Sequence, residues 1–118
     1  MRKIERPVSI PTSGSKIIEE YVGRASTDME NVSVARMVAP PGWSEPFQRP
    51  DFDEITLVVK GAIEVEHDGG RETVRTGEGI LTEKGERIRY LNPSSSESAE
   101  YWAICLPAFS PDTVNREG

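Results

Sequence analysis

The side chains able to do chemistry in this sequence lie mainly between Trp43 and Tyr101. Glu54 opens an apolar run, Ile55-Thr56-Leu57-Val58-Val59. A carboxyl on such a strand has two readings. Hydrogen-bonded, it is silent. Buried in an apolar cavity, it has a raised pKa and can serve as a general acid or base, which makes Glu54 the candidate catalytic residue. Gln48, six positions earlier, offers a neutral amide, and Tyr90 and Tyr101 offer phenols. Trp43, Phe47 and Phe52 surround this stretch. Aromatics there would hold a planar or sugar ligand, or seal the end of a barrel.

Other reactive residues read as structural. His67, the one histidine, stands beside Asp68-Gly69, where a turn would leave it solvated. Cys105 lies among Trp102, Ala103 and Ile104 and reads as packing. Asp51-Phe52-Asp53-Glu54 reads as a solvated acidic loop. Arg87 and Arg89 alternate with Ile88, so they are expected to point outward and pair with surface acids.

Strands must position these groups. Ten glycines and nine prolines divide the chain into short, often β-branched pieces, and no helical apolar period persists. Strands are expected at Ile17–Val22, Val32–Val38, Glu54–Val59, Ala62–His67, Glu72–Arg75, Gly79–Thr82, Arg87–Leu91 and Glu100–Leu106. Eight such strands describe an all-β sandwich or small barrel. Placing Gly69-Gly70 as a two-residue turn sets Glu64 opposite Arg75 and Val65 opposite Val74. Along residues 54–59, one face carries Glu54, Thr56 and Val58. The other carries Ile55, Leu57 and Val59, and such an apolar stripe calls for a cover: the N-terminal segment, a second sheet or another subunit.

A chain of 118 residues supports one domain. Its core is expected at about 32–107, with an N-terminal strand segment 1–31 and a C-terminal tail 108–118. The net charge of −6 disfavours nucleic acid and anionic lipid as partners. The N-terminus lacks the apolar stretch of a signal peptide, no apolar run is long enough to span a membrane, and one cysteine forms no intrachain disulfide. Together these point to the cytoplasm.

Two stretches carry a resemblance. Residues 42–61 read GWSEPFQRPDFDEITLVVKG, and residues 77–92 read GEGILTEKGERIRYLN. They resemble the two cupin motifs, G-x5-H-x-H-x3-E-x6-G and G-x5-P-x-G-x2-H-x3-N. Gly42, Glu54, Gly61, Gly77, Gly85 and Asn92 fall on the patterns. The chain is therefore identified as a cupin-type double-stranded β-helix, or small jelly-roll barrel. In metal-binding cupins, the positions equivalent to 48, 50, 54 and 88 converge on Fe, Mn, Ni or Zn. Here they are Gln48, Pro50, Glu54 and Ile88. No cofactor is expected from that set, and a transition metal would need rescue by Glu45, Asp51 or Asp53.

The resemblance implies a small-molecule-binding barrel without its histidines. Trp43, Gln48, Glu54, Ile88 and Tyr90 are the candidate ligand-binding residues. The alternatives are a metal-independent lyase, isomerase or epimerase using Glu54, and a structural or regulatory dimer with a filled barrel. Many cupins are dimers, so a homodimer is the expected assembly.

Overall fold

The computed structural model describes residues 1–117. Nine strands form: β1 (Val8–Ser9), β2 (Ile17–Val22), β3 (Ser33–Ala39), β4 (Asp53–Lys60), β5 (Ala62–His67), β6 (Gly70–Arg75), β7 (Gly79–Thr82), β8 (Ile88–Leu91) and β9 (Ala99–Leu106). One sheet has the order β1-β2-β3-β9-β4-β7 and the other β6-β5-β8. All strand pairs are antiparallel. This is the all-β jelly roll that the motifs imply. No helix of the described residues is long and apolar enough to cross a membrane.

Alternation builds the core. Ala99, Tyr101, Ala103 and Cys105 of β9 are buried, as are Glu54, Thr56 and Val58 of β4. They face Ile63 and Val65 of β5 and Ile88 and Tyr90 of β8 across the sandwich. Glycine is required at the β4–β5 turn. Gly61 has φ +73°, and a Cβ there would lie 2.9 Å from the Ser98 carbonyl oxygen. The motif asparagine, Asn92, is a staple. Its amide donates to the carbonyls of Ala39, Pro40 and Glu97, and its oxygen accepts from Ser94 N–H.

The β5–β6 hairpin departs from expectation. Ile63 pairs with Val74, Glu64 with Thr73 and His67 with Gly70, so the turn is Asp68-Gly69. The expected register, built on a Val65–Val74 pair, is displaced by two residues along β5, which keeps the same faces inward. A buried pair survives because Ile63 takes that place against Val74, and both are buried. Arg71 still reaches the acidic face, near Glu64 and Glu66.

Two short connections bring distant chain ends to one mouth. Residues 43–48 run against β8: Gln48 and Ile88 exchange both backbone hydrogen bonds at 2.9 Å, and Asn92 N–H donates to the Trp43 carbonyl at 2.7 Å. The C-terminal segment then pairs with residues 47–51. Asp51 N–H donates to the Thr113 carbonyl, and Glu117 N–H donates to the Phe47 carbonyl. Phe109 packs edge-on against Phe52, with centroids 6.2 Å apart, and Val114 is buried beside them.

Candidate functional site

Small side chains open the interior at one end of the barrel. Across the β3–β9 pair, Ser33 faces Cys105 and Ala35 faces Ala103; one step further, Met37 faces Tyr101. The first two pairs are too small to fill the space between the sheets, and the large tyrosine fills it beyond them. The result is a chamber of about 50 Å³. Gln48, Glu54, Tyr90, Tyr101, Ala103 and Cys105 are among its walls. It adjoins a wider mouth of about 300 Å³ walled by Trp43, Glu45, Pro46, Lys16 and Arg116 among others. Lys16, Glu45 and Arg116 border both spaces.

Glu54 reaches the chamber from the buried face of β4. Burial raises its pKa from 4.5 to about 7, the negative charge of Glu45 adds to the rise, and Lys16 and the Tyr90 hydroxyl hold it back. The Tyr90 hydroxyl is hydrogen-bonded to Thr82 Oγ1 at 2.8 Å. Burial pushes the phenols of Tyr90 and Tyr101 well above their ordinary range, so both stay protonated. The Cys105 thiol is likewise pushed far up by burial and is held as a thiol.

Lys16 approaches from the start of β2. Its ammonium lies 3.8 Å from the Trp43 ring centroid and 5.4 Å from that of Tyr101. Burial lowers its pKa from 10.5 to about 8, although Glu45 and Glu54 pull it upward. The Glu45 pKa is raised by burial. The mouth therefore holds two cations, Lys16 and Arg116, and one carboxyl, Glu45; Arg116 is exposed, and Lys16 and Glu45 are half-buried.

The structure brings four of the sequence-derived residues to this space: Gln48, Glu54 and Tyr90 in the chamber and Trp43 at the mouth. Ile88 is not brought there. It is buried in the main apolar core with Ile63, Val65 and Val74, where its side chain is packing. Tyr101 and Cys105, whose faces the sequence left open, both point inward. Lys16 and Arg116 were missed. They come from opposite ends of the chain, and neither belongs to a motif.

The remaining candidates are accounted for structurally. His67 accepts from Gly69 N–H and lies 3.3 Å from Glu72 at the hairpin tip. Arg87 pairs with Glu117 over the Phe47 ring, and Arg89 pairs with Glu66.

The metal positions do not fit a metal. Gln48 and Glu54 are the only donors among the four, since Pro50 and Ile88 have none. Among the described residues, no group of three or more His, Cys, Asp or Glu could hold an ion. Asp53 is engaged elsewhere, accepting from Lys84 N–H.

Comparison with known proteins agrees with this architecture. The family model for the cupin domain matches residues 35–105, more than half of the chain. A protein of Myxococcus xanthus named endoribonuclease YbeY is 45% identical over 108 residues. That match takes in 92% of this chain and 36% of the relative, so the chain spans about a third of the relative's length. Among solved structures, an RmlC-like cupin from Shewanella frigidimarina superposes with a TM-score of 0.74 at 12% identity, covering 92% of this chain and 91% of that one. A protein assigned to ethanolamine utilization (protein Q) from Salmonella typhimurium gives 0.68 at 21% identity, covering 80% and 71%.

The pKa shifts set a stability test. The fold binds the Glu54 proton more tightly than the unfolded chain does. Its contribution is thus complete below pH 4.5 and is lost as pH rises through about 7. Lys16 acts oppositely: its depressed pKa costs stability below about pH 8, and that cost fades as pH rises toward 10.5. Glu54→Gln should therefore be more stable than the parent at pH 8, by on the order of 2–3 kcal/mol, and nearly equal to it at pH 4. Urea unfolding at the two pH values measures this.

Proposed function

The chain belongs to the cupin domain family, and we propose that it is a metal-independent member that binds a small molecule in the barrel, with Glu54 as the proton-transferring group. One observation carries this reading: a carboxyl poised near neutral pH faces open space at the end of a cavity that reaches the mouth. A general acid or base works best with a pKa near the operating pH. Tyr90 and Tyr101, held as neutral phenols, are the hydrogen-bond donors beside it, and Gln48 supplies an amide. The open chamber favours this reading over a structural dimer with a filled barrel. The donor set favours proton transfer of lyase, isomerase or epimerase type over metal-centred oxidation.

We assign no phosphodiester chemistry to this barrel. The name endoribonuclease belongs to a relative of which this chain spans about a third. This chain's one histidine is at a hairpin tip, and its net charge is −6, which opposes a phosphate backbone. Its single thiol suits a reducing cytoplasm.

The assembly we propose is a homodimer through the outer face of the large sheet. Ile55 and Ile104 face each other there, as do Leu57 and Trp102. Leu57, Val59 and Leu81 are 43%, 46% and 60% exposed. Of the stripe noted in the sequence, Leu57 and Val59 thus stay exposed and Ile55 is half-buried.

Two measurements check these readings. A fragment titration followed by amide NMR should shift Gln48, Ala35 and Ala103, and Ala35→Val should abolish the Gln48 and Ala103 shifts at a stability cost of no more than about 1–3 kcal/mol. Shifts that avoid the chamber would overturn the assignment. In sedimentation, the parent should run as a dimer and Leu57→Glu as a folded monomer; a monomeric parent would refute the dimer.

A further inference from the structure

We propose, resting on the small-molecule reading above, that the ligand is a small hydroxy acid that enters hydroxyl first and leaves its carboxylate at the mouth between Lys16 and Arg116. A pair of cations at the mouth and one unmet acceptor in the chamber define it. At the mouth, Lys16 and Arg116 bring donors, and among the described residues neither has an ion-pair partner within 4.0 Å. In the chamber, the Gln48 Oε1 atom is buried with no hydrogen-bond partner. A buried acceptor left unpaired is costly, so it calls for a donor from the ligand. A molecule with a carboxylate at one end and a hydroxyl at the other meets both demands.

Charge and size agree. At the mouth, Lys16 and Arg116 outweigh Glu45 by one positive charge, which one carboxylate neutralises, and Glu20, further in on the chamber wall, is already engaged by the Ala25 and Ser26 N–H groups. The chamber of about 50 Å³ admits a hydroxyl and its carbon, and the mouth of about 300 Å³ takes the rest. An amino acid fits less well. Its ammonium could donate to Gln48 Oε1, but it would add a second cation beside Lys16 in a chamber whose Glu54 carboxyl holds its proton near neutral pH. Stacking of a sugar ring is also disfavoured, because the Lys16 ammonium already covers a face of Trp43.

The charged and titratable groups facing the site are Lys16 just before β2, Glu20 on β2, whose carboxylate accepts from the Ala25 and Ser26 N–H groups, Glu45 before β4, Glu54 on β4, Tyr90 on β8, Tyr101 and Cys105 on β9 and Arg116 in the C-terminal segment. The phenols stay neutral throughout. From pH 6 to pH 9, Glu54 gains a negative charge and Lys16 loses its positive one, so affinity for an acid should fall.

The test is calorimetry of the whole chain with racemic lactate, racemic glycerate, propionate, racemic alanine and 1,2-propanediol. We expect lactate or glycerate to bind about tenfold more tightly than propionate or propanediol, because each of those lacks one of the two required groups. Lys16→Gln and Arg116→Gln, shown to be folded by thermal melting, should each weaken the hydroxy acid about tenfold and leave propanediol unchanged. The proposal is overturned if hydroxy acids bind no better than propionate, if alanine binds more tightly, or if both variants bind as the parent does. Should neutral fragments still shift the chamber amides while no acid binds, this inference fails and the small-molecule reading stands. If no fragment shifts them either, both fail.

Discussion

Burial of the Glu54 carboxyl beside an unfilled chamber is the constraint from which the other features of the site follow. Transfer of an ionised carboxylate into such surroundings is unfavourable enough that the group holds its proton instead, and its pKa rises to about 7. Glu45 reinforces the effect, and Lys16 limits it. Lys16 is itself shifted in the opposite sense, to about 8, by the same loss of water. The two groups therefore change charge within a narrow interval around neutrality.

The scaffold achieves this with ordinary means. Alternation on β4 and β9 turns Glu54, Ala103 and Cys105 inward, and small residues on β3 leave the space open. Gly61 and Asn92 fix the connections around it. The C-terminal segment crosses residues 47–51 and carries Arg116 to the mouth, while the beginning of β2 carries Lys16 there. Charges from both ends of the chain are thus gathered over a carboxyl contributed by its middle.

Much of the fold was legible before any coordinates. The spacing of Gly42, Glu54, Gly61, Gly77, Gly85 and Asn92 identified the jelly roll, and period-two alternation placed the strands. The hairpin register was not legible, because Ile63 and Val65 are equally good partners for Val74, and the turn admits Asp68-Gly69 as readily as Gly69-Gly70. Glu54, Gln48, Tyr90 and Trp43 stood out because strand periodicity can aim them at one cavity. Ile88 stood out for its motif position alone, and its side chain serves the core. Lys16 and Arg116 could not be found this way: their proximity is made by long-range pairing, which local pattern does not encode.

The most direct measurement is the titration of the Glu54 carboxyl carbon by NMR, assigned by comparison with Glu54→Gln. The account predicts a midpoint near pH 7 in the folded protein. A midpoint at the ordinary carboxylate value of about 4.3 would show the group to be solvated or satisfied, and would contradict it.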